Sequence, residues 1–252
     1  MTPGCSVDSR TMKVVVSDEY ARHADFIRAL PDAFAAGQGE VVYDQRNQIR
    51  RFTDQGQVFI VKRYKPVNTV QRVVYTFFRN TKACRAYLFA KEFRRRGIDT
   101  PREVAYLETG SMGLFRTGYF VSLEAAGTET HLLLREVKDF SHELADAVAT
   151  QILLMHRHGI LHGDLNLSNF LCTEEQDGHY HFTMIDVNRS HFTDGMPDDE
   201  ACLQNMVRTT HRRDLYGYLV RSYARLRQWD EQQTADRALQ LLEKFENRKI
   251  KL

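Results

Sequence analysis

HGDLNLSNF, residues 162–170, follows an apolar run that closes on Gly159, Ile160 and Leu161 and sets a carboxylate, Asp164, five residues ahead of a carboxamide, Asn169. Such a pair binds a metal, activates a hydroxyl or closes a turn, and the chain on either side has to decide among these. Upstream, Ser141 to His158 carries Leu144, Val148, Ile152 and Met155 at helical spacing, so a helix is expected to deliver the chain to the motif. Downstream, a polar turn, EEQDGH, precedes HFTMIDVNRS, whose HFTMI run reads as a short strand ending at Asp186. The rest of the chain reads as helical to its end.

Toward the N-terminus the pattern changes. An acidic entry, expected to be helical, ends near Gly37, and GEVVYDQRNQIRRFTDQGQVFIVKRYK then alternates apolar and β-branched segments with polar turns. This reads as antiparallel strands at Glu40–Tyr43, Gln48–Phe52 and Val58–Tyr64, with turns at 44–47 and 54–57. A helix should run from an N-cap at Asn80 or Thr81 to a stop at Gly97, with Ala83, Ala86, Tyr87, Ala90 and Phe93 along one face. GIDTPREVAYLE returns the chain to strand, at Val104–Glu108 and again at Gly113–Leu123, and EAAG (124–127) is the expected link to a second, mainly helical part. The division expected is 1–122, with 1–11 a disordered tail and Met12 a candidate start, then a hinge at 123–127 and a second lobe at 128–252.

Composition fits a soluble globular chain: 252 residues and 42% hydrophobic content suffice for a real core in one large domain or two modest lobes. Cys5, Cys84, Cys172 and Cys202 are far apart with no CxxC pair, which argues against a disulfide framework or zinc knuckle and for the reducing cytoplasm. No apolar stretch is long enough for a spanning helix, so membrane contact is expected to be peripheral. Charge is unevenly spread. Lys62 to Arg96 holds 11 Lys or Arg against one acid, Glu92, while acids outnumber bases elsewhere. Such a segment either solvates a helix or attracts a phosphate-rich partner: nucleic acid, anionic lipid or a phosphorylated glycan.

A strand lysine (Lys62 in FIVKRYK), a helix, HxDxxxxN (His162, Asp164, Asn169) and a strand-terminal aspartate (Asp186 in MIDVN) occur in the order found in phosphotransferases of the protein-kinase fold. Each type suits that chemistry. ATP needs an ammonium over its phosphates, the role of Lys62, and a metal held by hard oxygens, the role of Asn169 and Asp186. The acceptor hydroxyl needs a carboxylate beside it as it attacks, the role of Asp164. His162 reads as a packed organiser. A second string, HRRDLYGYL, is a decoy: the position five beyond Asp214 is Leu219, so no ligand follows, and its surroundings read as helix.

VYDQRN, VKRYK, KACRAYLFAKEFRRRGIDTP, HGDLNLSNF and IDVNRS together resemble the lipopolysaccharide core kinases, the Kdo and heptose kinases of Gram-negative bacteria, from about Val41 to Ser222. The resemblance implies a bilobal, protein-kinase-like α+β fold with a small antiparallel sheet in the N-lobe and a mainly helical C-lobe. It implies transfer of the ATP γ-phosphoryl group, with Mg²⁺, to a sugar hydroxyl of a lipid-linked core oligosaccharide. The protein would work on the inner face of the cytoplasmic membrane, with the basic segment against anionic lipid and no nucleic acid involved. The cofactor-binding positions expected are Lys62, the turn residues Gln45, Arg46 and Asn47, and Glu124 and Ala125 in the link.

Departures accompany the match. No GxGxxG precedes Lys62, so phosphate contact falls to backbone amides of the 44–47 turn. Gly163 stands where protein kinases carry an arginine, which removes the reader of a phosphorylated activation loop. Val187 and Asn188 follow Asp186 in place of Phe-Gly, and Asn188 is expected to take the positive φ of that glycine. The chain beyond Asp186 is too short for a long peptide-docking lobe, which favours a small or glycan acceptor. The usual partner of the strand lysine, a helix glutamate, is missing near Ala86; Glu92 falls about 180° from Ala83, opposite the apolar stripe. A kinase-fold enzyme with another acceptor and a catalytically silent, nucleotide- or lipid-binding relative therefore stay open as alternatives.

Overall fold

The computed structural model describes residues 10–45 and 47–250; Cys5 and Arg46 lie outside the described residues. The chain forms two compact units, one running to Lys91 and including Arg102–Glu124, the other made of Glu92–Pro101 and the chain from Ala125.

In the first unit β1 (Arg10–Val16) begins inside the stretch expected as tail, and a 3-10 turn leads to α1 (Ala24–Ala35). A meander follows: β2 (Glu40–Asp44), β3 (Gln48–Asp54) and β4 (Gln57–Arg63). Then come α2 (Thr69–Phe77), α3 (Lys82–Arg95), β5 (Glu103–Ser111) and β6 (Leu114–Leu123). The strands make one six-stranded sheet in the order β1-β5-β6-β4-β3-β2, antiparallel throughout. Alternation along β4 sorts its side chains to two faces. Phe59 and Val61 pack with Ile27, Leu30 and Phe34 of α1, while Tyr64 joins Tyr106 and the α3 residues Ala83, Cys84 and Tyr87. The apolar face expected for α3 is the buried one, and Gly97, at φ 76°, supplies the left-handed residue that ends it.

α2 was not expected; the sequence reading assigned no element between Tyr64 and Asn80. Its start is capped by Asn68, whose side chain accepts from the Gln71 amide at 2.9 Å. Valine-rich and short, it has weak helix propensity, and none of its residues is buried.

The second unit holds the last turn of α3 and then β7 (Thr128–Glu129), α4 (Thr130–Leu134), α5 (His142–Arg157), β8 (Ile160–Leu161), β9 (Phe170–Glu174), β10 (Tyr180–Met184), β11 (His191–Phe192), α6 (Asp199–Met206), α7 (Arg213–Arg227) and α8 (Glu231–Ile250). Ser141 caps α5, and Leu144, Val148, Ile152 and Met155 form its buried face. The stretch beyond Asp186 is not helical throughout: β11 pairs with β8, His191 opposite Leu161, which satisfies the backbone entering the HGD motif. The decoy string lies at the start of α7, and Asp214 is an exposed charge paired with Arg212 at 2.8 Å. Cys84, Cys172 and Cys202 are buried free thiols. Among the described residues no helix is long and apolar enough to cross a membrane.

Candidate functional site

β8 hands the chain to a tight loop in the second unit that is organised around His162, which has no exposed surface and meets the edge of Phe93 at 6.0 Å. His162 Nδ1 accepts from the Asp164 amide at 3.2 Å, and Nε2 lies 3.1 Å from the Ile185 carbonyl. These partners select the neutral tautomer protonated on Nε2. Burial pushes the imidazole pKa down, against the pull of the Ile185 carbonyl, so the ring is an organiser as expected. It ties the backbone of Asp164 to the residue before Asp186.

Asn169 completes the loop. Its Nδ2 donates to the Asp164 carbonyl at 2.8 Å, and its own carbonyl accepts from the Ile185 amide at 2.9 Å. The side-chain nitrogen is thus spent on the backbone, and Oδ1 is the atom a hard cation would take. Asp186 is itself the left-handed residue, at φ 57° and ψ 41°, and its Oδ1 accepts from Asn188 Nδ2 at 2.6 Å. This corrects the expectation for Asn188, which sits in a 3-10 turn; aspartate tolerates the left-handed region, and the bend falls one step earlier. Gly163 has a steric reason: a Cβ there would lie 2.0 Å from the Arg189 carbonyl oxygen, so no side chain fits between the loop and the turn after Asp186.

Two neighbours of Asp164 and one of His162 were not anticipated. Arg189 Nη1 approaches Oδ2 at 3.4 Å and Arg208 Nη1 approaches Oδ1 at 3.8 Å, both from exposed positions. Asn205 donates from Nδ2 to the His162 carbonyl at 2.8 Å and receives His156 Nε2 on Oδ1 at 3.2 Å, while His156 Nδ1 meets the Tyr223 hydroxyl at 2.8 Å. Arg189 lies within the IDVNRS motif, though nothing there assigned it to Asp164; Arg208 and Asn205 reach the loop from farther along the chain.

Burial lowers the His156 pKa to about 4, opposed by the Asn205 hydrogen bond. A folded pKa below the ordinary 6.5 means that the unfolded chain binds the extra proton between those values, so stability falls as pH falls through that window. The expected loss from pH 6.5 to 5 is about 2 kcal/mol. Urea unfolding at the two pH values measures it, and His156→Gln should flatten the acid limb. A wild-type stability that is level from pH 7 to 5 contradicts the assignment.

Lys62 lies on β4 opposite Ile49 of β3 and Phe120 of β6, with Nζ 5.6 Å from the Tyr64 ring centroid. The turn beside it is closed by a Gln45 amide bond to the Asn47 carbonyl at 3.2 Å. A cleft of about 200 Å³ borders Gln45, Asn47, Arg63 and Lys65. Glu124 is the last residue of the first unit and Ala125 returns the chain to the second; the Glu124 carboxylate is held by Arg51 at 2.8 and 3.2 Å. Ala86 is buried where a helix glutamate was sought. Glu92 takes bonds from Arg95 and Arg96, which lower its pKa to about 2. Glu103, another acid the reading missed, is buried and cross-pairs with Ser122, itself opposite Ile60, so it shares the sheet face of Lys62.

Not every base of the segment 62–96 faces a charged partner, because Arg96 is turned inward. Its Nη1 donates to the carbonyls of His158 and Thr193, each at 2.7 Å, and its Nε to Glu92 at 2.6 Å. It anchors the chain ahead of the HGD loop.

A family model described as the lipopolysaccharide kinase (Kdo/WaaP) family matches residues 32–209. The chain is 27% identical over 103 residues to a 3-deoxy-D-manno-octulosonic acid kinase of Vibrio vulnificus strain YJ016, covering 40% of this chain and 43% of the relative. Its counterpart in strain CMCP6 is 27% identical over 96 residues, covering 38% of this chain and 40% of the relative. Each match therefore spans less than half the length of the curated relative. A solved structure of WaaP in complex with acyl carrier protein superposes with a TM-score of 0.61 at 19% identity, covering 95% of this chain and 98% of that one. The likeness shows the fold, the kinase-like α+β arrangement expected from the sequence.

Proposed function

The chain belongs to the lipopolysaccharide kinase (Kdo/WaaP) family, and we propose that it transfers the γ-phosphoryl group of ATP to a sugar hydroxyl, of Kdo or heptose, on the lipid-linked lipopolysaccharide core. The observation that carries this reading is the joining of two turns: the Ile185 amide bonds Asn169 and the Ile185 carbonyl bonds His162, which gathers Asp164, Asn169 and Asp186 into one cluster. In the reading, Asp164 is the general base for the acceptor hydroxyl and Lys62 holds the nucleotide phosphates. The backbone of Gln45, Arg46 and Asn47 and that of Glu124 and Ala125 serve the nucleotide. Asn169 Oδ1 and the Asp186 carboxylate would hold Mg²⁺, which when bound neutralises charge on the β- and γ-phosphates. The donor set suits it: two hard-oxygen side chains with no thiolate or imidazole, leaving positions for phosphate and water.

Arg189 and Arg208 favour an acceptor that carries a negative charge of its own, since two guanidinium groups flank the base. An acidic or phosphorylated sugar meets that condition. The protein would work on the inner face of the cytoplasmic membrane, held peripherally by the basic segment 62–96. Mass spectrometry of lipopolysaccharide from cells with and without the protein, paired with assays of the purified protein on ATP and core acceptors, tests the reading. Loss of one phosphate from the core on deletion is expected. Unchanged lipopolysaccharide together with no transfer in vitro would reject it.

Gly163→Ala tests the loop rather than the chemistry. The added Cβ must push the Asp164 loop away from the Arg189 backbone. Displacement of about 1 Å at a reacting group costs about 10²-fold, so a kcat loss of that order is expected with a folded protein by circular dichroism. Wild-type kcat would show that Asp164 needs no such placement.

A further inference from the structure

Helix α2 is inside out. Taking Val70 as zero and about 100° per residue, Val73, Val74 and Phe77 all fall within about 60° of it, an apolar stripe of the kind that normally packs inward. Here it faces solvent: Val70 is 74% exposed, Phe77 67% and the adjoining Phe78 79%. The opposite side, with Arg72, Tyr75 and Thr76, is the one docked on the β5–β6 hairpin. Arg72 donates to the Phe115 and Ser111 carbonyls at 3.0 and 3.3 Å, the Thr76 hydroxyl accepts from the Phe115 amide at 2.9 Å, and the Tyr75 ring meets Phe115 edge-on. Met112, in the turn between these strands, is 85% exposed. The polar side chains thus hold the helix in place and leave its apolar stripe for something else.

We propose that α2 is an interfacial helix that seats the protein on a bilayer containing anionic lipid. Charge identifies the occupant. The helix lies within the stretch of 11 bases and one acid, and exposed Lys65 and Arg79 bracket it. A cleft of about 810 Å³ sets Arg79 and Arg85 beside Phe77 and Phe78, while Lys13 on its wall pairs with Glu108 at 3.5 Å; the neighbouring cations and aromatics suit a headgroup phosphate above acyl chains. Nine residues extend only about 14 Å, so the helix lies in the interface and does not span it. The choice of lipid rests on the reading that the acceptor is lipid-linked.

The test uses the full chain with vesicles of phosphatidylcholine, alone or with phosphatidylglycerol, and two variants, Phe77→Ser/Phe78→Ser and Arg79→Glu, whose folding is checked by thermal melting. Wild type should sediment with the anionic vesicles and not with the neutral ones. The double serine variant should bind about tenfold or more weakly, and Arg79→Glu should bind more weakly with greater loss on added salt. Both should phosphorylate a soluble core sugar at the wild-type rate and a vesicle-borne acceptor more slowly. A wild type that ignores both vesicles, or a double variant that sediments like wild type, overturns the inference. So does capture of an acidic protein, with acyl carrier protein as the probe, through the same two phenylalanines in place of lipid. Vesicle binding that depends on Phe77 and Phe78 in a protein that phosphorylates no sugar would support the helix and sink the kinase reading; sugar phosphorylation without vesicle binding would do the reverse.

Discussion

Asp164→Asn is expected to bind ATP as the wild type does and to turn over about 10²- to 10⁴-fold more slowly, the range for a lost general base. The substitution keeps the backbone bonds that build the loop, because His162 and Asn169 hold the main chain of Asp164 and not its carboxylate. It keeps shape as well. What it removes is the negative charge between Arg189 and Arg208, and with it the carboxylate proposed to take the acceptor's proton. Nucleotide titration beside steady-state kinetics separates the two functions. Turnover at the wild-type rate would take Asp164 out of the mechanism, and a parallel loss of nucleotide affinity would mark it as a structural residue instead.

Asn169→Ala and Asp186→Ala are expected to act through Mg²⁺, each cutting turnover by about 10³-fold at limiting metal, since charge neutralisation at the phosphates is worth several kcal/mol. The two should differ in what survives. Asn169→Ala also loses the bond from Nδ2 to the Asp164 carbonyl, so extra Mg²⁺ should rescue it only in part. Asp186→Asn, which retains a side chain able to accept from Asn188 and tolerant of the left-handed backbone, separates loss of charge from loss of the turn. Activity measured across a Mg²⁺ series is the readout. Full activity of either alanine variant at low Mg²⁺ would remove that residue from the ligand set.

Much of the architecture could be read along the chain because it rests on local rules. Short apolar and β-branched segments between polar turns marked β2 to β4, helical spacing marked α3 and α5, and Gly97 and Ser141 marked an end and a start. These signals need no partner to be seen. α2 escaped although Asn68 and its apolar stripe are local, because a nine-residue, valine-rich run is a weak helix former and its place on the hairpin depends on Arg72 meeting the Phe115 and Ser111 carbonyls and Thr76 the Phe115 amide, about forty residues away in sequence. The run of arginines misled in the same way. Charge counting treated Arg94 to Arg96 alike, yet one of them is consumed by the carbonyls of His158 and Thr193.

By itself the sequence determined the residue types and their order: a strand lysine, then HxDxxxxN, then an aspartate closing a strand, in a chain whose spacing yields a sheet followed by helices. Order and spacing are one-dimensional quantities, and turns as short as 162–170 convert them almost directly into geometry. The tertiary structure alone decided which groups surround the HGD loop, because Arg189 and Arg208 reach Asp164, and Asn205 the His162 carbonyl, across loops whose closure no local signal records. It also decided which face of α2 meets water. A helix's own pattern says that one side is apolar; only the hydrogen bonds made by its other side show that the apolar one was left outside.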